Sequence, residues 1–289
     1  MWGRNRRPAV AGYFYPSDRK ELIRMIEELF KSKLGPGSLP RFVMEGPREI
    51  IGLISPHAGY VYSGAIACHG YYRLAEDGLP SLIILIGPNH TGYGSAISVY
   101  PGGVWETPLG SVEVDSEFAK ELHKADPYID LEESAHTHEH CLEVQLPFLQ
   151  YIAQRVGKSF KIVPIIMLQQ TPSSVEILTN ALRKVLSSYE RREYLIIASS
   201  DFTHYEPAEI ARKKDMEAIS EILNFNADRF MEKVYELDIS ICGYGAIATL
   251  LKLSKHLGAS KIELLKYGNS GDITGDYSGV VSYASFIIK

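Results

Sequence analysis

Residues 82–90 read Leu82-Ile83-Ile84-Leu85-Ile86-Gly87-Pro88-Asn89-His90. Five apolar side chains in a row, closed at once by Gly-Pro-Asn, predict a short buried strand that ends in a polar turn. The same pattern occurs twice more. Ile50 to Ile54 runs into Ser55-Pro56-His57-Ala58-Gly59-Tyr60, and Tyr194 to Ala198 runs into Ser199-Ser200-Asp201-Phe202-Thr203-His204. Strands that are apolar throughout belong to sheets covered on both sides, and such sheets are mostly parallel. The expected fold class is α/β, a three-layer sandwich with a mostly parallel central sheet and helices on both faces.

The flanking segments supply those helices. Asp18 and Glu21 form a capping-box pattern before Leu22, Met25, Ile26 and Leu29, which recur at helical spacing. Residues 64–75, 116–124, 139–156, 207–225, 227–236 and 244–257 also read as helices, and Pro147 should kink or split the third of these. Thr171-Pro172 is an N-cap followed by proline at the first helical position, ahead of Val175, Leu178, Leu182 and Val185. Ile162 to Met167, Ile262 to Tyr267 and Val280 to Ile288 read as further strands. The last alternates as it would at an edge or in an antiparallel pair. With no repeat and no linker, residues 1–289 are expected to form one domain.

Composition narrows the function. The chain has 289 residues, a formal charge of −5, 45% hydrophobic and 22% charged residues, which excludes a disordered or collagen-like chain. No block of basic residues marks a nucleic-acid surface, and Arg4, Arg6 and Arg7 read as a solvated N-terminal tail. The longest apolar run is about six residues, against about twenty for a membrane span, and MWGRNRRPAV has no apolar signal-peptide core. Three cysteines, Cys68, Cys141 and Cys242, with no CxxC, argue for a reducing compartment. A cytoplasmic protein with neither nucleic-acid nor membrane partners is expected.

In open α/β sheets, ligands bind beyond the carboxyl ends of the strands. His57, His90, Asp201 and His204 all sit in turns that follow apolar strands, so one shared crevice is expected. Residues 135–143 add His136, His138 and His140 with Glu139 and Glu143. His136 and His140, or His140 and Glu143, could share a helix face. His140, deeper in that expected helix, is the better site residue, while His136 and His138 read equally well as solvated imidazoles. Cys242 lies in Ile239-Ser240-Ile241-Cys242-Gly243-Tyr244-Gly245, just before a helix. A helix N-terminus favours the thiolate, which is both nucleophile and metal ligand. Cys68 and Cys141 fall in helical patterns and read as packed.

With these residues in hand, the chain resembles the Memo family. The resemblance runs almost end to end. It rests on Ala11-Gly12-Tyr13-Phe14-Tyr15, Ser55-Pro56-His57-Ala58-Gly59-Tyr60 and Gly87-Pro88-Asn89-His90. It continues through Glu139-His140, Glu143-Val144-Gln145-Leu146-Pro147, Ser199-Ser200-Asp201-Phe202-Thr203-His204 and Ile241-Cys242-Gly243. The resemblance implies a fold like that of the class III extradiol ring-cleavage dioxygenases. It also implies a metal pocket with His57, His90 and Cys242 as ligands, lined by His140, Asp201 and His204. Where the dioxygenases use two histidines and a carboxylate, this chain offers a thiolate. Family members in archaea and bacteria are associated with a radical-SAM protein in the AmmeMemoRadiSam system, which implies such a partner. The animal member is described as a phosphotyrosine-peptide-binding signalling factor.

The leading expectation is a dioxygenase-like oxidoreductase with a single transition-metal ion. Iron ranks first by fold resemblance and copper second by ligand softness, with zinc also compatible. His140 or His204 would act as acid or base, and Asp201 would orient one of them or a ligand histidine. A second reading is a non-catalytic module that binds a small molecule or peptide in a crevice lined by Tyr13, Phe14, Tyr60 and Tyr62. A third is a metal- or thiol-dependent hydrolase with Cys242 as nucleophile, His204 or His140 as base and Asp201 orienting.

Overall fold

The computed structural model describes residues 5–289, so Arg4 lies outside the described residues. Among the described residues eleven strands form the sheet: β1 Gly52–Ser55, β2 Leu82–Pro88, β3 Ile97–Val99, β4 Val104–Thr107, β5 Gly110–Val114, β6 Ile129–Leu131, β7 Lys161–Met167, β8 Tyr194–Ser199, β9 His204–Glu206, β10 Ile262–Asn269 and β11 Val280–Ile288. The main path runs β10-β11-β1-β8-β2-β7-β3-β6. Its centre, β1-β8-β2-β7, is parallel throughout. Antiparallel pairs flank that centre, β11 with β1 and β10 on one side and β3 with β7 on the other.

The two-residue period of a strand divides the apolar side chains between two cores. On β2, Ile84 and Ile86 enter one core while Ile83 and Leu85 enter the other. On β8, Ile196 and Ala198 face the first core and Leu195 and Ile197 the second. Helices Ser116–Ala125, Pro172–Leu186, Ala208–Leu223, Ala227–Glu236 and Tyr244–His256 supply apolar side chains to the first core. Arg19–Lys31, Ala65–Asp77 and Leu146–Val156 supply the second. Each fully buried leucine or isoleucine contributes about 1.5–3 kcal/mol, so the sheet is held from both sides. The expected caps form. Asp18 accepts from the amides of Lys20 and Glu21, and Thr171 accepts from that of Ser174 with Pro172 in the first turn.

Strand β11 pairs antiparallel with β1 and β10, the second of the two expected placements, and β10 takes the edge. Two local expectations are corrected. Residues 139–156 are not one helix. A short helix spans Ser134–Thr137, residues 138–142 are non-helical, one 3₁₀ turn covers Glu143–Gln145, and the α-helix begins at Leu146. The cause is Glu139, whose carboxylate accepts from the amides of His140 and Cys141 at 2.9 and 3.0 Å and so competes with helical pairing. Pro147 then falls in the first turn of the following helix, where its missing N–H and fixed φ are tolerated, so nothing kinks. The second correction is Arg6, which is buried rather than solvated, whereas Arg7 is exposed.

Candidate functional site

Strands β1, β8 and β2 are adjacent, so their three carboxyl-end turns meet. His57, in the turn after β1, is buried. Its amide donates to Asp201 Oδ1 at 2.8 Å, and its Nδ1 lies 3.0 Å from Ser199 Oγ. The hydroxyl of Ser199 already donates to the Cys141 carbonyl at 2.6 Å and accepts from Gln145 Nε2 at 2.8 Å. A hydroxyl has one proton to give, so Ser199 must accept at His57. The His57 proton therefore sits on Nδ1. Its Nε2 carries the free lone pair, 3.2 Å from Cys242 Sγ.

Glu139 does for His90 what Ser199 does for His57. Its carboxylate accepts from the His90 amide at 2.6 Å and from His90 Nδ1 at 2.9 Å, which again leaves Nε2 as the free ligand nitrogen. The same carboxylate lies 3.3 Å from His140 Nδ1. His140 stacks on His90 with ring centroids 4.7 Å apart and planes 26° apart. His57 stands edge-on to both, at 5.2 and 5.4 Å. One nitrogen from each of the three rings lies within 4.8 Å of the other two. His90, Glu139 and Cys141 meet the same criterion, but Cys141 is fully buried and turns its Sγ to the Pro88 carbonyl at 3.2 Å.

Cys242 Sγ, 3.2 Å from His57 Nε2, accepts from the Asp201 amide at 3.3 Å and stands outside the group formed by the three imidazole nitrogens. Its loop is pinned by Gln170, which donates to the Cys242 carbonyl and accepts from the Gly245 amide, both at 2.8 Å. Gly243 is required there. A Cβ would stand 2.5 Å from the Ser199 carbonyl, well inside contact distance, and would force the thiol away from the end of β8.

Burial sets the protonation states. It pushes the His57 imidazole well below its ordinary range, and the neighbouring His90 adds to this. Burial and then His57 lower His140 to about 4. Burial alone would raise Glu139, but its bonds to His90 and the charge of both imidazoles hold it near 2. His57 and His140 are thus neutral, the form that ligates metals. Burial, and then the Asp201 carboxylate, push the Cys242 thiol up. The direction is opposite to the expected lowered thiol: the helix starts only at Tyr244, and half-buried Cys242 lies against Asp201. Asp201 itself is raised by burial against the bond from the His57 amide.

The structure therefore brings together His57, His90, His140, Asp201 and Cys242. His204 stands at the partly exposed rim, its Nδ1 donating to the Ser240 carbonyl at 2.8 Å. Asp201 bonds to the His57 turn, so His57 is the histidine it orients. His136 is excluded. It is fully buried, pairs through Nε2 with the Ser98 carbonyl at 3.2 Å, and packs on Trp105. His138 is exposed. Phe14 does line the site, 4.8 Å from His140. Tyr60 does not, because its ring stacks on Phe148 in the core and its hydroxyl donates to the Val144 carbonyl. Sequence reasoning missed Glu139, Ser199 and Gln145 as orienting groups. The available signal was a run of carboxylates among histidines that fits no HExxH spacing.

A doubly covered, mostly parallel sheet with a histidine cluster and a thiol at its carboxyl edge defines an α/β protein with a candidate metal pocket. Residues 6–287 match the family model for the Memo-like protein. A MEMO1 family protein of Ignicoccus hospitalis is 46% identical over 280 residues, which cover 97% of each chain. One from Methanocaldococcus jannaschii is 49% identical over 288 residues, covering 98% of this chain and 99% of that one. The chain belongs to the Memo-like family. A crystal structure of the uncharacterized Escherichia coli K12 protein JW3007 aligns with a TM-score of 0.54, covering 83% of this chain and all of that one. At 13% identity that likeness shows the shared fold alone.

Proposed function

We propose that the protein is a mononuclear transition-metal oxidoreductase, with His57, His90 and Cys242 as ligands and His140, Asp201 and His204 on the substrate side. One observation carries this reading: the unprotonated Nε2 of His57 lies 3.2 Å from Cys242 Sγ, and a ring nitrogen of His57 lies within 4.8 Å of one on each of His90 and His140. Ligand atoms 2.0–2.3 Å from one ion lie roughly 3.5 Å apart; the His57–Cys242 pair has that spacing, and the three imidazoles beside it form a group that could close on an ion. Iron ranks first by the family's fold resemblance, and copper or zinc suits the softer thiolate. Such an ion would supply redox chemistry and open positions for an exogenous ligand.

The chain's own residues do the rest. Ser199 and Glu139 fix the tautomers of His57 and His90, as outer-sphere partners of ligand histidines do. Asp201 clamps the His57 turn through its amide. Neutral His140, stacked on His90, is placed to accept a proton from a bound substrate. His204 has Nδ1 committed to Ser240, which leaves Nε2 for proton exchange at the rim.

The test is metal analysis of protein purified anaerobically without chelator, followed by oxygen uptake with catechol-like substrates. One equivalent of iron or copper with oxygen consumption is expected. Metal without oxygen uptake would favour the binding module. Absence of metal, with rapid alkylation of Cys242 near neutral pH, would favour the thiol hydrolase.

A further inference from the structure

Residues 5–15 lie across the site. The Arg6 amide donates to the Val104 carbonyl at 2.8 Å and its carbonyl accepts from Glu106 at 2.8 Å, which docks this segment on β4. The guanidinium lies 4.1 Å from the Trp105 ring centre and is spent on the 136–143 segment. Nε donates to the His136 carbonyl at 2.7 Å, Nη2 to the Glu139 carbonyl at 2.6 Å and Nη1 to Glu143 Oε2 at 2.7 Å. Glu143 also accepts from the amides of Ala9 and Val10 and from the Tyr15 hydroxyl, at 2.7, 3.1 and 2.6 Å. Farther along, the Phe14 ring meets His140, and the Phe14 carbonyl accepts from the Tyr60 amide at 2.8 Å, three residues after His57.

A buried ion pair is weak evidence for stability, because removing two charges from water offsets most of their attraction. An apolar pair could hold the segment in place equally well. What Arg6 adds is direction: its fork fixes two carbonyls and one carboxylate at set distances. One of those carbonyls belongs to Glu139, the residue whose carboxylate holds His90 and borders His140.

We infer that Arg6 and Glu143 are positioning residues for the metal centre, and that residues 5–15 form a strap that orients Glu139 and, through it, His90 and His140. The link to a metal rests on the proposed function, whereas the orientation of Glu139 can be read without any metal.

The experiment compares three variants with the wild-type protein. Arg6→Met with Glu143→Gln removes both charges together, so no buried charge is left unpaired. Arg6→Lys keeps the charge but loses the fork. Arg48→Met with Asp77→Asn removes the buried pair at the amino-terminal side of β1, where Asp77 accepts from the amides of Glu49 and Ile50, and serves as the structural control. Two quantities are read: amide hydrogen exchange at His90, His140 and Cys141 in metal-free protein, and Co(II) affinity with its absorption spectrum.

In the strap double variant those three amides, all bonded to Glu139, should exchange at least about tenfold faster than in wild type. Co(II) affinity should fall about 10–100-fold, as for other outer-sphere changes, with a shifted spectrum. Arg6→Lys should fall between. The control should lower Tm yet leave both site readouts unchanged. If the double variant does not fold, Arg6→Lys carries the test with the same expectations at reduced size. Unchanged exchange at the three amides in a folded strap variant, or an equal change in the control, would overturn the inference. Faster exchange in the strap variant of a protein whose wild type takes no Co(II) would uphold the strap and sink the metal reading.

Discussion

The chemistry of this protein turns on single atoms whose protons are assigned by their neighbours. His57 presents Nε2 because Ser199 has no second proton to give. Ser199→Ala should therefore free the ring to take the other tautomer and weaken metal binding about 10–100-fold without removing a ligand. Isothermal titration with Zn(II) measures it, and unchanged affinity would refute the tautomer argument. In the proposed centre, Cys242 and His140 compete for the third ligand position. Cys242→Ser should weaken binding while metal still loads at higher concentration, whereas His140→Gln should leave metal bound and suppress turnover. Metal content and oxygen uptake, measured side by side on both variants, separate the two roles, and the reverse pattern would make His140 the ligand.

At the scale of elements, the decisive segment is 134–145. Its irregularity was not legible in the sequence, because a run of helix-compatible residues hides the competition that Glu139 offers to its own following amides. The fate of Arg6 was hidden for a related reason. Its partners are carbonyls and a carboxylate 130 to 137 residues away, and local charge pattern cannot see them. By contrast, the three strand-end turns were readable, since strong apolar runs fix where β1, β2 and β8 stop. His136 gives this segment a pH signature. Burial, followed by the nearby Arg6 charge, lowers its pKa to about 3, against about 6.5 unfolded. A depressed folded value means stability that is fully present above about 6.5 and is lost as pH falls through about 3. His136→Gln keeps a donor toward the Ser98 carbonyl but cannot titrate. Its denaturant midpoint should decline less between pH 6.5 and 4 than that of wild type, and parallel declines would contradict the burial argument.

The whole molecule carries its pocket on a scaffold that does not need it. Two cores pack on opposite faces of one sheet, and a chain of this length buries about three quarters of its unfolded surface. Chelation should therefore lower Tm only by the linkage of a bound ligand, a few kcal/mol at most at a hundredfold excess over Kd, and leave the circular dichroism of the folded state intact. In contrast, Ile84→Ala, deep in the first core, should cost about 2–5 kcal/mol while leaving the metal-to-protein ratio of the folded fraction unchanged. The parallel centre of the sheet and its helical cover were legible from apolar runs alone. The antiparallel additions at either side were less so, since only alternation along β11 announced one of them, and pairing partners are set by long-range contacts that a local pattern does not encode. No described helix is long and apolar enough to cross a membrane.

X-ray absorption at the metal edge of the anaerobically purified protein tests the central claim most directly. Two imidazole nitrogens and one sulfur scatterer at about 2.3 Å are expected, with the sulfur lost in Cys242→Ser and one imidazole lost in His57→Ala. A metal bound only by nitrogen and oxygen donors in the wild-type protein, or one whose sulfur shell survives Cys242→Ser, would contradict the assignment of His57, His90 and Cys242.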